Sequence, residues 1–277
     1  MKAELSGATA VQSSAGAFVV QRLLSLDAEL SAAEQRVLHA VEDDATHALR
    51  VSLRRLCTFL KLARPLFGRW HADVVRRAFA DVMRATSALR DEQVLAFTLQ
   101  DLSARPQFEA WMRRRAGRLK SLRRHVVAVI RHGSLESARR LLGALLAFPV
   151  DPRRDVAAST FARRSVRRAR CRVDRMRHAG SADAKGLHEL RIRYKELRYA
   201  IELLSEVLPR ETTSMRERAS VFQRRLGEIH DIDVAYNVLK AAKTLPESVR
   251  REALHRLADR RDKKLAKYLR ERDRPKS

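Results

Sequence analysis

Cysteine, glycine, proline and aromatic residues are all scarce in this 277-residue chain, and each scarcity excludes something. Cys57 and Cys171 are the only two cysteines, too few and too far apart for a disulfide framework or a cysteine metal cluster. That usage points to the cytoplasm. Nine glycines and seven prolines leave long stretches without breakers, and no run of alternating β-branched residues stands out, so strands are not expected. Aromatics are 5% of the chain and sit mostly within apolar stripes, which weakens any base-stacking platform for single strands. Apolar runs such as Leu141 to Phe148 fall far short of the ~20 residues that a membrane span needs. Met1 to Leu5 leads into small residues without the apolar core of a signal peptide. A soluble protein with no membrane partner is expected.

Acid is the remaining shortage. Lys and Arg number 58 against 33 Asp and Glu, a formal charge of +25, with a pI near 11.3. A hydrophobic fraction of 45% is enough for a real core, so disorder does not explain the charge. Such a surface repels itself in the compact state, and a polyanionic partner relieves that repulsion.

What is abundant is Leu, Ala and Arg at three- and four-residue spacing. Leu49, Leu53, Leu56 and Leu60 make one such stripe, which a 3.6-residue period puts on a single helix face. Pro65 with Gly68, Gly133-Ser134, Pro209 and Pro246 punctuate the helices, and Phe148 to Pro152 is the clearest break near the middle. Five or six helices are expected before that break and about five after it. Residues 1–148 and 149–277 are read as two repeats.

The repeat rests on two segments. His47 to Leu56 and His188 to Leu197 share His-x-Leu-Arg-[Val/Ile]-x-[Leu/Tyr]-[Arg/Lys]-x-Leu, 141 residues apart. Composition alone predicts the basic skeleton of that motif roughly 0.4 times, and it occurs once in each half. Duplication explains this better than chance. Further on, Arg90-Asp91 and His230-Asp231 each begin a basic-Asp-x-x-Val segment that reads as a helix start. Asp91 and Asp231 are read as caps, while Arg90 and His230 stay open between cap and ligand.

On a helix, His47, Arg50, Arg54 and Lys61 fall within roughly 60° of one another, and His188, Arg191, Lys195 and Arg198 within roughly 80°. Arg55 and Arg193 point elsewhere and are expected to be solvated. A row of cations suits a row of phosphates: arginine offers a planar fork, lysine a flexible point charge, and histidine a ring donor whose charge rises beside a polyanion.

Enzymatic and metal readings fare worse. The chain has no Gly-x4-Gly-Lys-Ser/Thr loop and no His-Glu-x-x-His helix. Asp43-Asp44 reads as a helix start, and Asp231 with Asp233 has no matching acidic pair near Arg90. No cofactor, metal or catalytic residue is expected. Nucleic acid is the competing partner, since a basic surface binds any phosphate backbone, but no named DNA-reading motif is present.

The residues quoted above resemble the CHAD family, the conserved-histidine α-helical domains, from about Ala17 to about Arg270. The most specific parts are the two His-Leu-Arg segments and Leu226 to Asp231. The resemblance implies an all-α fold of two pseudo-symmetric helical bundles around a central basic groove or pore that binds inorganic polyphosphate. It also implies association with polyphosphate granules, and a stand-alone member without a triphosphate-tunnel domain. The candidate ligand set is then His47, Arg50, Arg54, Lys61, Arg90, Arg118, His188, Arg191, Lys195, Arg198 and His230. Lys120, Arg123 and Arg167 are further candidates to border the groove. Cys57 stands where the family pattern often has a basic residue, opposite Arg198 of the second half. A regulator of polyphosphate-processing enzymes is the other functional alternative.

Overall fold

A computed structural model describes residues 13–39, 43–178 and 183–273; Met1 to Leu5 and the side chains of Asp43 and Asp44 lie outside the described set. Ten α-helices account for nearly all of it. They are α1 (Ala15–His39), α2 (Asp43–Phe67), α3 (Arg69–Ala85), α4 (Ser87–Leu99), α5 (Pro106–Arg131) and α6 (Ser134–Ala147) before the central break. After it come α7 (Ala158–His178), α8 (Ala184–Leu203), a 3-10 turn at Ser205–Val207, α9 (Thr212–Lys240) and α10 (Glu247–Asp273). No strand forms among the described residues; an isolated antiparallel bridge joins Ser14 and Ala157. None of these helices is long and apolar enough to cross a membrane.

The predicted stripe on α2 is core throughout, with Leu49, Leu53, Leu56 and Leu60 all fully buried. The breakers act as expected with one correction. Pro65 lies inside the last turn of α2, and the helix runs on to Phe67 before Gly68, at φ 82°, turns the chain. A proline near a helix C-terminus still clashes with the turn before it, but the left-handed glycine makes the stop.

The central connection folds back on the beginning of the chain. The Ala15 amide donates to the Val156 carbonyl at 2.7 Å, and the Ala158 amide to the Ser13 carbonyl at 3.0 Å. The Gly16 amide donates to Asp155 Oδ1 at 2.7 Å, and a side chain on Gly16 would meet Asp155 and Val150 at 3.2 Å. This ties the starts of α1 and α7 together.

Two apolar cores follow, and both cross the break. The larger joins α1, α2, α3 and α6 to α7, α8 and the first half of α9. The smaller packs Leu95, Leu99, Phe108 and Trp111 against Ile232, Leu239, Val249 and Leu257. Packing therefore treats the described residues on the two sides of the break as one unit. The two motif helices, α2 and α8, touch each other directly, which brings their cations to a common seam.

Candidate functional site

Many acids of the protein are engaged between helices. Arg139 of α6 donates to Asp27 at 2.9 Å and Glu34 at 2.7 Å on α1. Arg115 grips Glu92 with two bonds of 2.7 Å, and Lys264 and Arg261 of α10 hold Glu228 and Asp233 of α9. Elsewhere, cations outnumber the acids beside them.

One such place is a cleft of about 450 Å³ between the halves. Helix α2 supplies His47, Arg50 and Arg54, α4 supplies Arg90 and Asp91, α8 supplies Arg191, and α9 supplies His230 and Asp231. Val51, Val94, Leu95 and Val234 complete the walls. Four guanidinium groups thus face two carboxylates. Arg54 lies near enough to Arg191 and Lys195 of the other half for its charge to depress both.

The titration of the group reflects that crowding. Burial, then Arg54 and Arg191, pull the Lys195 ammonium down to about 8. Burial, then Arg191 and His188, pull the His230 imidazole down to about 4. His188 is lowered by burial and then by Arg191 and Lys195. Arg50 is lowered by burial and by Arg54 and Arg90, against a raising contribution from Asp91. Burial outweighs the nearby Arg191 and Arg90 at Asp231, whose carboxyl is raised. Desolvation and like charge act in one direction on Arg50, His188, Arg191, Lys195 and His230, and an anion in the cleft reverses the second.

Side chains behind the wall hold the geometry. His188 and His230 share a hydrogen bond between Nδ1 atoms 3.1 Å apart, their rings 4.3 Å from centre to centre. One ring must donate and the other accept, which fixes the orientation of His230 toward the cleft. Arg50 is only 8% exposed, and its Nη1 donates to the Met83 carbonyl at 2.7 Å and to Thr86 Oγ1 at 3.0 Å. It therefore clamps the junction of α3 and α4, from which Arg90 reaches the cleft. Arg191 has Gly227 beside it at the corresponding place, with room of 3.7 Å between its Nε and an added Cβ. Gly227 lies inside α9, which continues unbroken from Thr212 to Lys240.

That continuity corrects the reading of Asp91 and Asp231 as caps. Asp231 is deep inside α9, and Asp91 is the fifth residue of α4. Their Asp-x-x-Val pattern is a cleft wall, not a helix start, because no breaker precedes Asp231 and α4 begins at Ser87. Other predicted residues lie elsewhere. Lys61 is bonded to Glu196, which also meets Arg193 at 3.2 Å and Arg172 at 3.6 Å. Arg198 donates to Gln223 at 2.8 Å and Glu202 at 2.9 Å, and its guanidinium covers the Tyr199 ring at 4.1 Å. Arg118 is exposed on α5 and does not line the cleft. Arg55 and Arg193 are not solvated but half-buried: Arg55 pairs with Glu29 and lies 3.6 Å from Glu202. Cys57 faces α3, its thiol bonded to the Arg76 carbonyl at 3.7 Å and pushed up to about 12 by burial. It leaves no gap in the cleft, since Arg198 at the corresponding turn also faces the following helix.

A larger hollow, about 730 Å³, is a different place. Lys120, Arg123, Arg124 and Arg131 of α5 rim it with His39 and His132, over a floor of Val37, Leu38, Val127 and Ala128. It draws on the first half alone, so the smaller cleft is the better candidate. No cluster of three or more His, Cys, Asp or Glu suited to a metal ion occurs among the described residues.

An all-α bundle with a cationic cleft at the seam of two repeated motif helices is thus the kind of protein that fold and site define. The chain belongs to the CHAD domain family, whose model matches residues 22–240. Among solved structures it is similar to the CHAD domain from the plant Ricinus communis, at 17% identity and a TM-score of 0.73 over 92% of this chain and 93% of that one. It is also similar to PptA from Streptomyces chartreusis, at 18% identity and a TM-score of 0.69 over 94% and 99%. At these identities the likeness concerns the fold. A search of curated protein sequences found no match.

Proposed function

We propose that this protein binds inorganic polyphosphate in the cleft between α2 and α8, and that it does so without chemistry of its own. The observation that carries this reading is the meeting of Arg54 of the first half with Arg191 and Lys195 of the second, so close that the charge of Arg54 lowers both. A linear anion without bases suits such a seam, because aliphatic and charged groups and two histidines line it and no Phe, Tyr or Trp ring does. Association with polyphosphate granules in the cytoplasm is the cellular setting that fits.

The test compares long-chain polyphosphate with single- and double-stranded DNA at matched phosphate and salt. Polyphosphate should bind more tightly, and Arg54→Glu with Arg191→Glu should weaken it by about a hundredfold or more, each reversal removing one contact and adding one repulsion. Equal or tighter binding of DNA assigns the cleft to nucleic acid instead. Shortening of the polymer on incubation with magnesium would make the protein an enzyme and end the binding-only reading.

A further inference from the structure

Helix α7 reads ASTFARRSVRRARCRVDRMRH, with arginine at eight of its 21 positions against one acid, Asp174. At 100° per residue Arg163, Arg164, Arg167, Arg168, Arg170 and Arg175 fall on one face about 160° wide, with Cys171 near its middle. All seven are exposed. The face runs about 18 Å from Arg163 to Arg175. Among the described residues only Arg170 of these meets a carboxylate, Asp174 at 3.6 Å. Elsewhere ion pairs join helix to helix, as at Arg139, Arg115 and Arg225; this ridge carries none of them.

The ridge is continuous with the cleft. Arg54, Thr58 and Lys61 lie in one line along α2. Thr58 and Lys61 border a second hollow of about 200 Å³, and Arg168 and Arg172 of α7 form another of its walls. Glu196, the residue after Lys195, sits in that hollow and is held by Lys61 and Arg172. Cations therefore lead from the cleft, past a single carboxylate, onto the outer face of α7.

We propose that α7 is an exit track: a polyphosphate chain too long for the cleft leaves it between α2 and α8 and continues over the arginine face. This rests on the polyphosphate reading of the cleft and adds selection for long polymers. The residues between those arginines are alanine, serine, valine, cysteine and aspartate, so the face offers contacts to phosphate and nothing to read or stack bases.

The experiment measures binding of long-chain polyphosphate and of tripolyphosphate to three proteins. One is wild type. The second carries Arg163→Gln, Arg164→Gln, Arg167→Gln and Arg168→Gln. The third carries Arg69→Gln, Arg84→Gln, Arg113→Gln and Arg251→Gln, a matched loss of charge at exposed sites elsewhere. The α7 variant should lose about tenfold or more for the long chain, show a shallower salt dependence, and keep its tripolyphosphate affinity, while the control stays near wild type. Native-state maleimide labelling of Cys171 should be slowed by the long chain and not by tripolyphosphate; Cys57 is buried and stays silent. Equal losses for both lengths, equal losses in the control, or a loss confined to duplex DNA would overturn the track. Unchanged tripolyphosphate affinity in Arg54→Glu with Arg191→Glu would sink the cleft reading, and the track with it.

Discussion

Lys195 does not line the cleft but stands beside two residues that do, Arg54 and Arg191, and its charge provides a sharp test of the site because it depends on what occupies it. In the free protein its ammonium titrates at about 8, lowered by burial and by Arg54 and Arg191, against an ordinary value of 10.5. A bound polyanion favours the charged form, so binding must take up a proton wherever the free lysine is neutral. The sign follows: affinity falls as pH rises through the window between about 8 and 10.5. If the ligand restores the ordinary value, uptake at pH 8.5 is about 0.75 proton, and affinity weakens about tenfold from pH 7 to pH 9. Calorimetry in two buffers of different ionisation enthalpy reads the proton directly. Lys195→Arg places a charge that does not titrate in this range, so it should bind with no uptake and little pH dependence. Wild type that binds polyphosphate at pH 8.5 without taking up a proton would refute the placement of Lys195 at the bound anion.

Two more outcomes are expected. At the acid side, His230 starts from about 4 and is raised by an anion, so affinity should increase by about eightfold from pH 7 to pH 5.5 on its account; His188→Gln with His230→Gln should abolish that gain, as read by titration across the range. For stability, Arg50→Ala should cost about 1–3 kcal/mol in urea unfolding because it removes two buried hydrogen bonds and leaves the Met83 carbonyl and Thr86 hydroxyl only each other, whereas Arg54→Ala should leave stability unchanged or raise it by relieving like charge.

How far the sequence could be read depended on whether a residue's surroundings come from its own helix or from another. The Leu49 to Leu60 stripe and the clustering of His47, Arg50 and Arg54 follow from the helical period alone, and both are found in the fold. The second-half echo placed Arg191 at the same wall. Lys61 and Arg55 could not be read that way: each is decided by an acid that α8 or α1 brings alongside, Glu196, Glu202 or Glu29, and no periodicity gives the register of one helix against its neighbour. Arg193 and Arg198 differ, since each meets an acid three or four residues further along its own helix, Glu196 and Glu202, a spacing already present in the sequence. Asp91 and Asp231 were misread for a related reason: a carboxylate near a basic residue looks like a cap until the helix is known to start well before it. Their matched spacing from the two histidine motifs was the available signal that they belonged to the same wall. Arg50 shows a third case. Its position on the stripe was legible, but its engagement with the kink at Thr86 was not, because the first half breaks a helix where the second half keeps one.

That asymmetry also explains how a seam of like charges holds together. Two copies of one motif helix, packed side by side, bring cations against cations, and the repulsion would part them if the halves were joined only there. Both apolar cores cross the seam instead, and acids are set at its edges: Glu196 binds Lys61 across α2 and α8, and Glu202 meets Arg55 and Arg198. Within the cleft the compensation stops. Asp91 and Asp231 oppose four arginines, and burial already raises the carboxyl of Asp231. The fold thus supports an excess of positive charge where it could have placed two more carboxylates, as it did one turn further along α8. A site that is neutralised at its borders and left cationic at its centre is where the proposed polyphosphate would supply the missing counter-charge to both halves at once.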